Sequence, residues 1–331
     1  MGRNYYISSS GTLRRKQNTI YLENEAGKRP IPVEDVDAFY IFGEVTLNTK
    51  LLDFLAQKHI PVHFFNYYDY YSGSYYPREY LNSGFLLVQQ VSHYTDLERR
   101  MVLARETVNS ACHNLLRNLK YYKNRVEAPE LGQIIEAIEA EQEALTAAAD
   151  PLSLMAIEGR IRERYYRSFN FILNLDEPFV KRVKRPPDNV INTLISFGNS
   201  LLYATTLSEI YRTQLNPTVS FLHEPGERRF SLSLDISEIF KPLIVDRVIF
   251  KLVNNRMLKE KHFERDLNYC YLKEEGRDIF LRQYDERLNQ TIQHRQLRKH
   301  VSYQRLIRLE CYKLIKHLSG TEDYQGFKMW W

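Results

Sequence analysis

The chain has 331 residues, 44% hydrophobic and 26% charged, with a formal net charge of +5. That mixture suits a globular protein with a large buried core and excludes a disordered chain, a collagen-like repeat and a bundle of membrane helices. No apolar run reaches the roughly 20 residues a membrane helix needs; the most apolar helix candidate, PLIVDRVIFKLV, carries Asp246, Arg247 and Lys251.

The opening MGRNYYISSSG has no apolar signal-peptide core and places Tyr6 where a myristoylation pattern wants Ser or Thr. From there to about residue 85 the sequence predicts short strands. NYYIS, GTLRRK, NTIYLE, KRPIPV and DAFYIF are rich in Tyr, Phe, Ile and Val and are separated by Gly, Asn, Asp and Ser. Asn48 caps a predicted short helix, TKLLDFLAQKH, and PVHFFN follows as a strand. YYDYYSGSYY reads as a hairpin turning at Ser72-Gly73. Its tyrosines are either a stacking platform for bases or the packed face of a sheet or dimer contact.

After about residue 93 the apolar spacing changes to three and four. Thr95 and Glu98 have capping-box spacing, and Leu97, Met101, Ala104, Val108, Cys112, Leu115 and Leu119 predict a long amphipathic helix that Pro129 ends. Segment 127–150 holds seven acids (Glu127, Glu130, Glu136, Glu139, Glu141, Glu143, Asp150) and no Lys or Arg, so the rest of the chain stands at +12, the whole-chain +5 raised by seven. A basic body with one acidic helical arm is either a surface for polyanions such as nucleic acid or anionic membrane, or a scatter of solvated charges. Pro151 opens a third helix, and a basic, proline-rich loop, VKRVKRPPDN, follows Pro178. NVINTLISFGNSLLYATTLSEIYR is helical, LNPTVSFLHEPGERRFSLS is a loop, and Asp235 and Glu238 begin DISEIFKPLIVDRVIFKLVNNR. The remainder, to about Leu318, is expected to be helical. The fold class is α+β: a small β-rich domain over residues 1–90 joined to a larger, mostly α-helical domain over residues 91–331. Three scattered cysteines (Cys112, Cys270, Cys311) form no CxxC pair, which suits a reducing interior and predicts a cytoplasmic location without membrane contact.

Three ionisable residues stand in apolar company. Glu158 follows LMAI and has Arg162 one turn on, so it is either a sheltered carboxylate or half of an i,i+4 ion pair. His223 precedes a turn in VSFLHEPGE and is either structural or a ligand. Asp235-x-x-Glu238 has the spacing of a helix cap. Together Glu158, His223 and Glu238 make a mixed oxygen and nitrogen set suited to Mn²⁺ or Mg²⁺, with Asp235 as a supporting acid. That is the equipment of phosphodiester chemistry. Lys181, Arg182, Lys184 and Arg185, with Arg160, Arg162, Arg164 and Arg167 on the helix of Glu158 and Lys241 beyond Glu238, are candidate phosphate contacts. There is no Walker loop, GxGxxG, HExxH or GxSxG.

IEGRIRERYY, KRPPDNVINTLISFGNSLLY and LHEPGERRFSLSLDISEIFKPLIVDR, in this order, resemble the CRISPR-associated adaptation endonuclease/integrase family over essentially the whole chain. The resemblance implies Glu158, His223 and Glu238 as metal ligands, Asp235 as an acid needed for activity, and Tyr165 as the aromatic of the first motif. Glu163 departs from the arginine of many relatives. It further implies a homodimer through the β domains, a small companion protein bridging two dimers, and DNA duplexes with 3′ overhangs. Their 3′-hydroxyls attack CRISPR repeat DNA by transesterification. Two other readings stand beside it, a catalytically silent DNA-binding scaffold and an RNA-processing nuclease.

Overall fold

The computed structural model describes residues 2–226, 230–266 and 269–330. The strand-rich part contains β1 (Arg3–Ile7), β2 (Gly11–Lys16), β3 (Thr19–Asn24), β4 (Gly27–Pro32), β5 (Val36–Ile41), β6 (Val45–Thr46), α1 (Thr49–Gln57), β7 (Val62–Phe65) and β8 (Tyr71–Tyr75). Two four-stranded sheets result. One has the order β4-β3-β2-β6, and the other β1-β5-β7-β8, in which β1, β5 and β7 are parallel and β8 is antiparallel. Strand alternation explains how the second sheet is covered on both faces. In β5, Phe39 and Ile41 join a core with Leu13, Ile20, Ile31 and Phe54, while Ala38 and Tyr40 face the helices.

The turn between β7 and β8 lies earlier than the sequence suggested. Asn66 Oδ1 accepts from the amides of Tyr68 at 3.1 Å and Tyr70 at 3.0 Å, an Asx turn that reverses the chain at 67–69. Ser72 and Gly73 instead lie within β8, with Gly73 opposite Phe64.

The helical part begins with α2 (Gly84–Thr95) and α3 (Leu97–Lys123), and continues through α4 (Glu130–Ala144), α5 (Pro151–Arg167), α6 (Phe169–Ile172) and α7 (Val190–Tyr211). The break before α3 is at Asp96, whose Oδ1 accepts from the Arg99 amide at 3.1 Å, so Asp96 rather than Thr95 is the cap. The acidic α4 lies against the basic body: Leu131, Ile135 and Ile138 are buried, Glu139 pairs with Lys120, and Glu141 pairs with Arg160 and Arg164. Nearly all of α7 is buried, and it joins the two parts. Tyr40 donates to Thr205 at 3.1 Å, and the His63 ring bonds Ser208 at 2.7 Å and Ser74 at 2.6 Å.

Beyond α7 come α8 (Ser231–Phe240), a π-helical turn (Pro242–Asp246), α9 (Arg247–Asn254), a hairpin of β9 (Phe263–Asp266) and β10 (Tyr269–Leu272), α10 (Glu274–Asn289), a hairpin of β11 (Thr291–His294) and β12 (Lys299–Ser302), and α11 (Tyr303–Leu318). The two hairpins correct the expectation of an all-helical remainder. The π turn follows from Pro242, which has no N–H for the helical ladder; the Asp246 amide reaches back to the Lys241 carbonyl at 3.1 Å. It packs tightly on α7 at Gly198, where a Cβ would stand 2.5 Å from Val245 Cγ1. The tail after α11 straps α3 to α8. Asn114 Nδ2 donates to the carbonyls of Ile239 at 3.0 Å and Phe327 at 2.9 Å, and its Oδ1 accepts from Met329 N at 2.9 Å. Trp330 is described; Trp331, like Arg228 of the third sequence motif, lies outside the described residues.

Candidate active site

Helix α5 supplies the first wall. Asp150 caps it in a reciprocal box with Ser153, Pro151 occupies its first turn, and Leu154, Ile157, Ile161 and Tyr165 recur at helical spacing on the buried side. Glu158 lies at the margin of that stripe, half-buried, and accepts from Arg162 Nε at 2.8 Å. The same guanidinium reaches Glu238 Oε2 through Nη2, while its Nη1 is buried without a partner. Lys241 Nζ takes the other oxygen, Glu238 Oε1. Two carboxylates remote in sequence thus meet on one arginine.

Helix α8 begins at Ser231, so Asp235 and Glu238 lie within the helix rather than at its start, and the capping explanation for their spacing fails. Asp235 does different work. Its Oδ2 accepts from the amides of Phe221 at 2.7 Å and Leu222 at 2.9 Å; its Oδ1 accepts from the His223 amide at 3.0 Å and lies 2.8 Å from His223 Nδ1. One carboxylate therefore shapes the loop and orients the imidazole, leaving Nε2 as the uncommitted ring nitrogen. Arg100 ties the loop from the other side, through the Phe221 carbonyl at 2.7 Å and Glu224 at 2.7 Å.

Charge balance governs protonation here. Burial alone would raise the Glu238 pKa, but the charges of Lys241, Arg162 and His223 hold it below the ordinary carboxylate range. Burial favours neutral His223, yet the hydrogen bond and charge of Asp235 outweigh it and raise its pKa. Burial likewise opposes charge on Arg162, and Glu238 and Glu158 reverse that. Asp246, on the π turn, is buried with Oδ2 unpaired. Burial pushes its pKa up to about 6 against the opposing charge of Arg162 and a hydrogen bond from Tyr165. Asp246 and Arg100 were not singled out as site residues from sequence; the signal for Asp246 was a lone acid inside the apolar run PLIVDRVIF.

The expected residues thus fall into two groups. Glu158, Arg162, Glu238 and Lys241 form one bonded set, and His223 with Asp235 forms a second, close enough for His223 and Glu238 to feel each other's charge. Among the described residues, no three His, Cys, Asp or Glu side chains are drawn together closely enough to enclose an ion. Of the expected phosphate contacts, Arg162 faces inward at 8% exposure. Arg182 is turned into its own loop, on Asn192 Oδ1 at 3.0 Å and Ser196 at 2.7 Å. Lys181, Lys184 and Arg185 are exposed. Tyr165 is wholly buried, and Glu163 is exposed and paired with Arg167.

The model of the family described as CRISPR associated protein Cas1 matches residues 5–286. A curated relative, the CRISPR-associated endonuclease Cas1 3 of Thermodesulfovibrio yellowstonii, is 56% identical over 330 residues, 99% of this chain and 100% of that one. The chain belongs to the Cas1 family. Among solved structures, a Cas1 protein from Thermotoga maritima superposes with a TM-score of 0.88 at 46% identity, covering 98% of this chain and 100% of the other. Two distant structures share the fold. A casposase bound to integration product has a TM-score of 0.87 at 19% identity over 98% of this chain and 93% of its own. The chain of a Cas6-RT-Cas1–Cas2 complex has a TM-score of 0.85 at 19% identity over 100% of this chain and 36% of its own. Among the described residues, no helix is long and apolar enough to cross a membrane.

Proposed function

We propose that this Cas1-family chain is a metal-dependent DNA endonuclease/integrase that inserts short DNA fragments into a CRISPR array by transesterification at the repeat boundary. The observation that carries the reading is the meeting of Glu158 and Glu238 on one guanidinium beside the oriented imidazole of His223. Relatives named as endonucleases supply the reaction class.

The donor set fits a divalent ion. Two carboxylate oxygens and an imidazole nitrogen are donor types that suit Mn²⁺ or Mg²⁺, whereas the buried, unpartnered Nη1 of Arg162 is a donor that suits a phosphate oxygen and not a cation. Glu158, His223 and Glu238 would hold the ion. When bound, it supplies charge for the phosphoryl oxygens and lowers the pKa of the attacking hydroxyl. Asp235 fixes the His223 ring through Nδ1, so Nε2 is the nitrogen presented to the site. Arg162 and Lys241 exchange carboxylate partners for phosphate oxygens, and Lys181, Lys184 and Arg185 hold the DNA backbone outside. DNA and a small companion protein are proposed partners in keeping with the casposase and Cas1–Cas2 likenesses, and the family resemblance adds 3′ overhangs on the inserted duplex and CRISPR repeat DNA as its target. The family resemblance supports self-association through residues 1–90, leaving residues 91–331 for catalysis, and the scattered cysteines support a cytoplasmic setting.

Strand transfer of a duplex with 3′ overhangs into repeat DNA tests this, with Mn²⁺ or Mg²⁺. Glu158→Ala, His223→Ala and Glu238→Ala are expected to abolish transfer while DNA binding survives. Wild-type transfer by all three variants would sink the assignment. The scaffold reading draws on the guanidinium and ammonium already seated on the carboxylates; it predicts DNA binding with no transfer by the wild type.

A further inference from the structure

The hairpin β11–β12 carries charge that the proposed chemistry does not use. From Arg287 to Leu309 the sequence holds six Lys or Arg residues (Arg287, Arg295, Arg298, Lys299, Arg305, Arg308) and no Asp or Glu. Arg287 and Arg308 are committed inward, the first to the Leu243 carbonyl at 2.8 Å and the Tyr303 ring, the second to buried Glu209. Arg295, Arg298 and Lys299 are exposed, and among the described residues none of them meets a carboxylate. The contrast with α5 is sharp, because Arg160 and Arg164 share Glu141 and Arg167 pairs with Glu163.

The backbone strengthens the point. His294 pairs with Lys299 across the strands, and the chain reverses through Arg295–Arg298 with Arg298 at φ 50. Glycine takes that left-handed conformation at no steric cost, yet an arginine occupies it. Beside the hairpin the Arg295 guanidinium lies 5.0 Å from the Trp330 ring centre. A cleft of about 530 Å³ opens there, lined in part by Gln290, Gln293, Tyr303 and Trp330. An anionic bilayer would call for an apolar face to bury. In residues 293–300 Leu297 is the single aliphatic side chain, and the surface alongside is amide and aromatic, which suits sugars and bases.

We propose that the β11–β12 hairpin is a second DNA-backbone contact, in which Arg295, Arg298 and Lys299 neutralise phosphates of a duplex beside Trp330. The inference rests on the DNA-binding part of the proposed function and extends it to a surface apart from the 181–185 loop.

Anisotropy titrations of a labelled DNA duplex at several NaCl concentrations test it. They compare wild type, R295Q/R298Q/K299Q and K181Q/K184Q/R185Q. Each duplex phosphate neutralised contributes about 0.9 to the slope of log K against log salt. The hairpin variant is therefore expected to lose about 2 to 3 from the slope and at least about tenfold in affinity at low salt, with unchanged circular dichroism. The only two tryptophans in the sequence are Trp330 and Trp331, so the tryptophan emission change on adding DNA should shrink in the hairpin variant too. A wild-type slope in the hairpin variant overturns the inference while leaving the 181–185 contact standing. If wild type binds no duplex at any salt, the DNA reading itself fails. Phosphatidylserine-containing vesicles that bind wild type and displace the duplex, but not the hairpin variant, would make the surface a membrane contact and also overturn it.

Discussion

Arg162 donates to Glu238 in a pocket that leaves the two residues 8% and 6% exposed. Because the same guanidinium also holds Glu158, a single side chain keeps two acids of the site from repelling each other. Removing it strands buried negative charge, which costs about 3–5 kcal/mol when a buried pair is broken from one side. Arg162→Gln is expected to lower stability by about 3 kcal/mol in urea titrations with chelator present. It should also tighten Mn²⁺ binding about tenfold or more by calorimetry, and Mn²⁺ should restore part of the lost stability. An unaltered Mn²⁺ affinity would show that the guanidinium and the ion do not share these carboxylates.

Asp235→Asn keeps the shape but removes one of two accepting oxygens. Amides 221–223, which now bond both oxygens, should exchange with deuterium faster. Transfer activity should fall by about 10–100-fold, the usual cost of losing a residue that orients a ligand. Unchanged exchange at those amides would mean the loop is held by Arg100 alone.

His63 gives the fold an acid sensitivity. Burial depresses its pKa to about 3, against about 6.5 when unfolded. Between those values the unfolded chain binds the extra proton, so stability is complete above about pH 6.5 and falls as pH drops toward 3, by about 1.4 kcal/mol per unit over most of that window. His63→Asn should be less stable at pH 7 yet lose stability more slowly on acidification, its slope shallower by one proton. Equal slopes in denaturation measured from pH 7 to 4.5 would contradict this.

Asn114→Ala should cost about 3 kcal/mol or more, because the Ile239 and Phe327 carbonyls and the Met329 amide each lose a buried partner. Chemical denaturation measures it. A loss below about 1 kcal/mol would mean that water replaces the amide.

What the sequence disclosed follows from how local each signal was. The Asn48 cap, Pro151 in the first turn of α5 and the apolar spacing of α3 are decided within a few residues, and the elements stand where those residues put them. Ser231-Leu232-Ser233-Leu234 alternates like a strand, and Asp235-x-x-Glu238 mimics a cap, so the true start of α8 was hidden by patterns that tertiary packing overrode. The paired strands at 263–266 and 269–272, and at 291–294 and 299–302, were hidden by charge, since strands as short as FERD and KHVS carry little β signal. Arg162 shows the same limit at the site. Its charge suggested DNA, but its neighbours are two acids, one of them supplied by α8, which no spacing within α5 announces.

Asp235 serves two masters, whereas Glu238 has two servants. The oxygens of Glu238 are claimed separately by Arg162 and Lys241, so an exchange at 241 leaves the guanidinium its own contacts with both acids. The oxygens of Asp235 pin a stretch of main chain and an aromatic ring at once, and no exchange at that position alters one without the other. Directed evolution of this protein should therefore find more freedom at 241, whose ammonium touches one oxygen of one acid, than at 162, which holds two acids, and at 235 a position where every step is two steps.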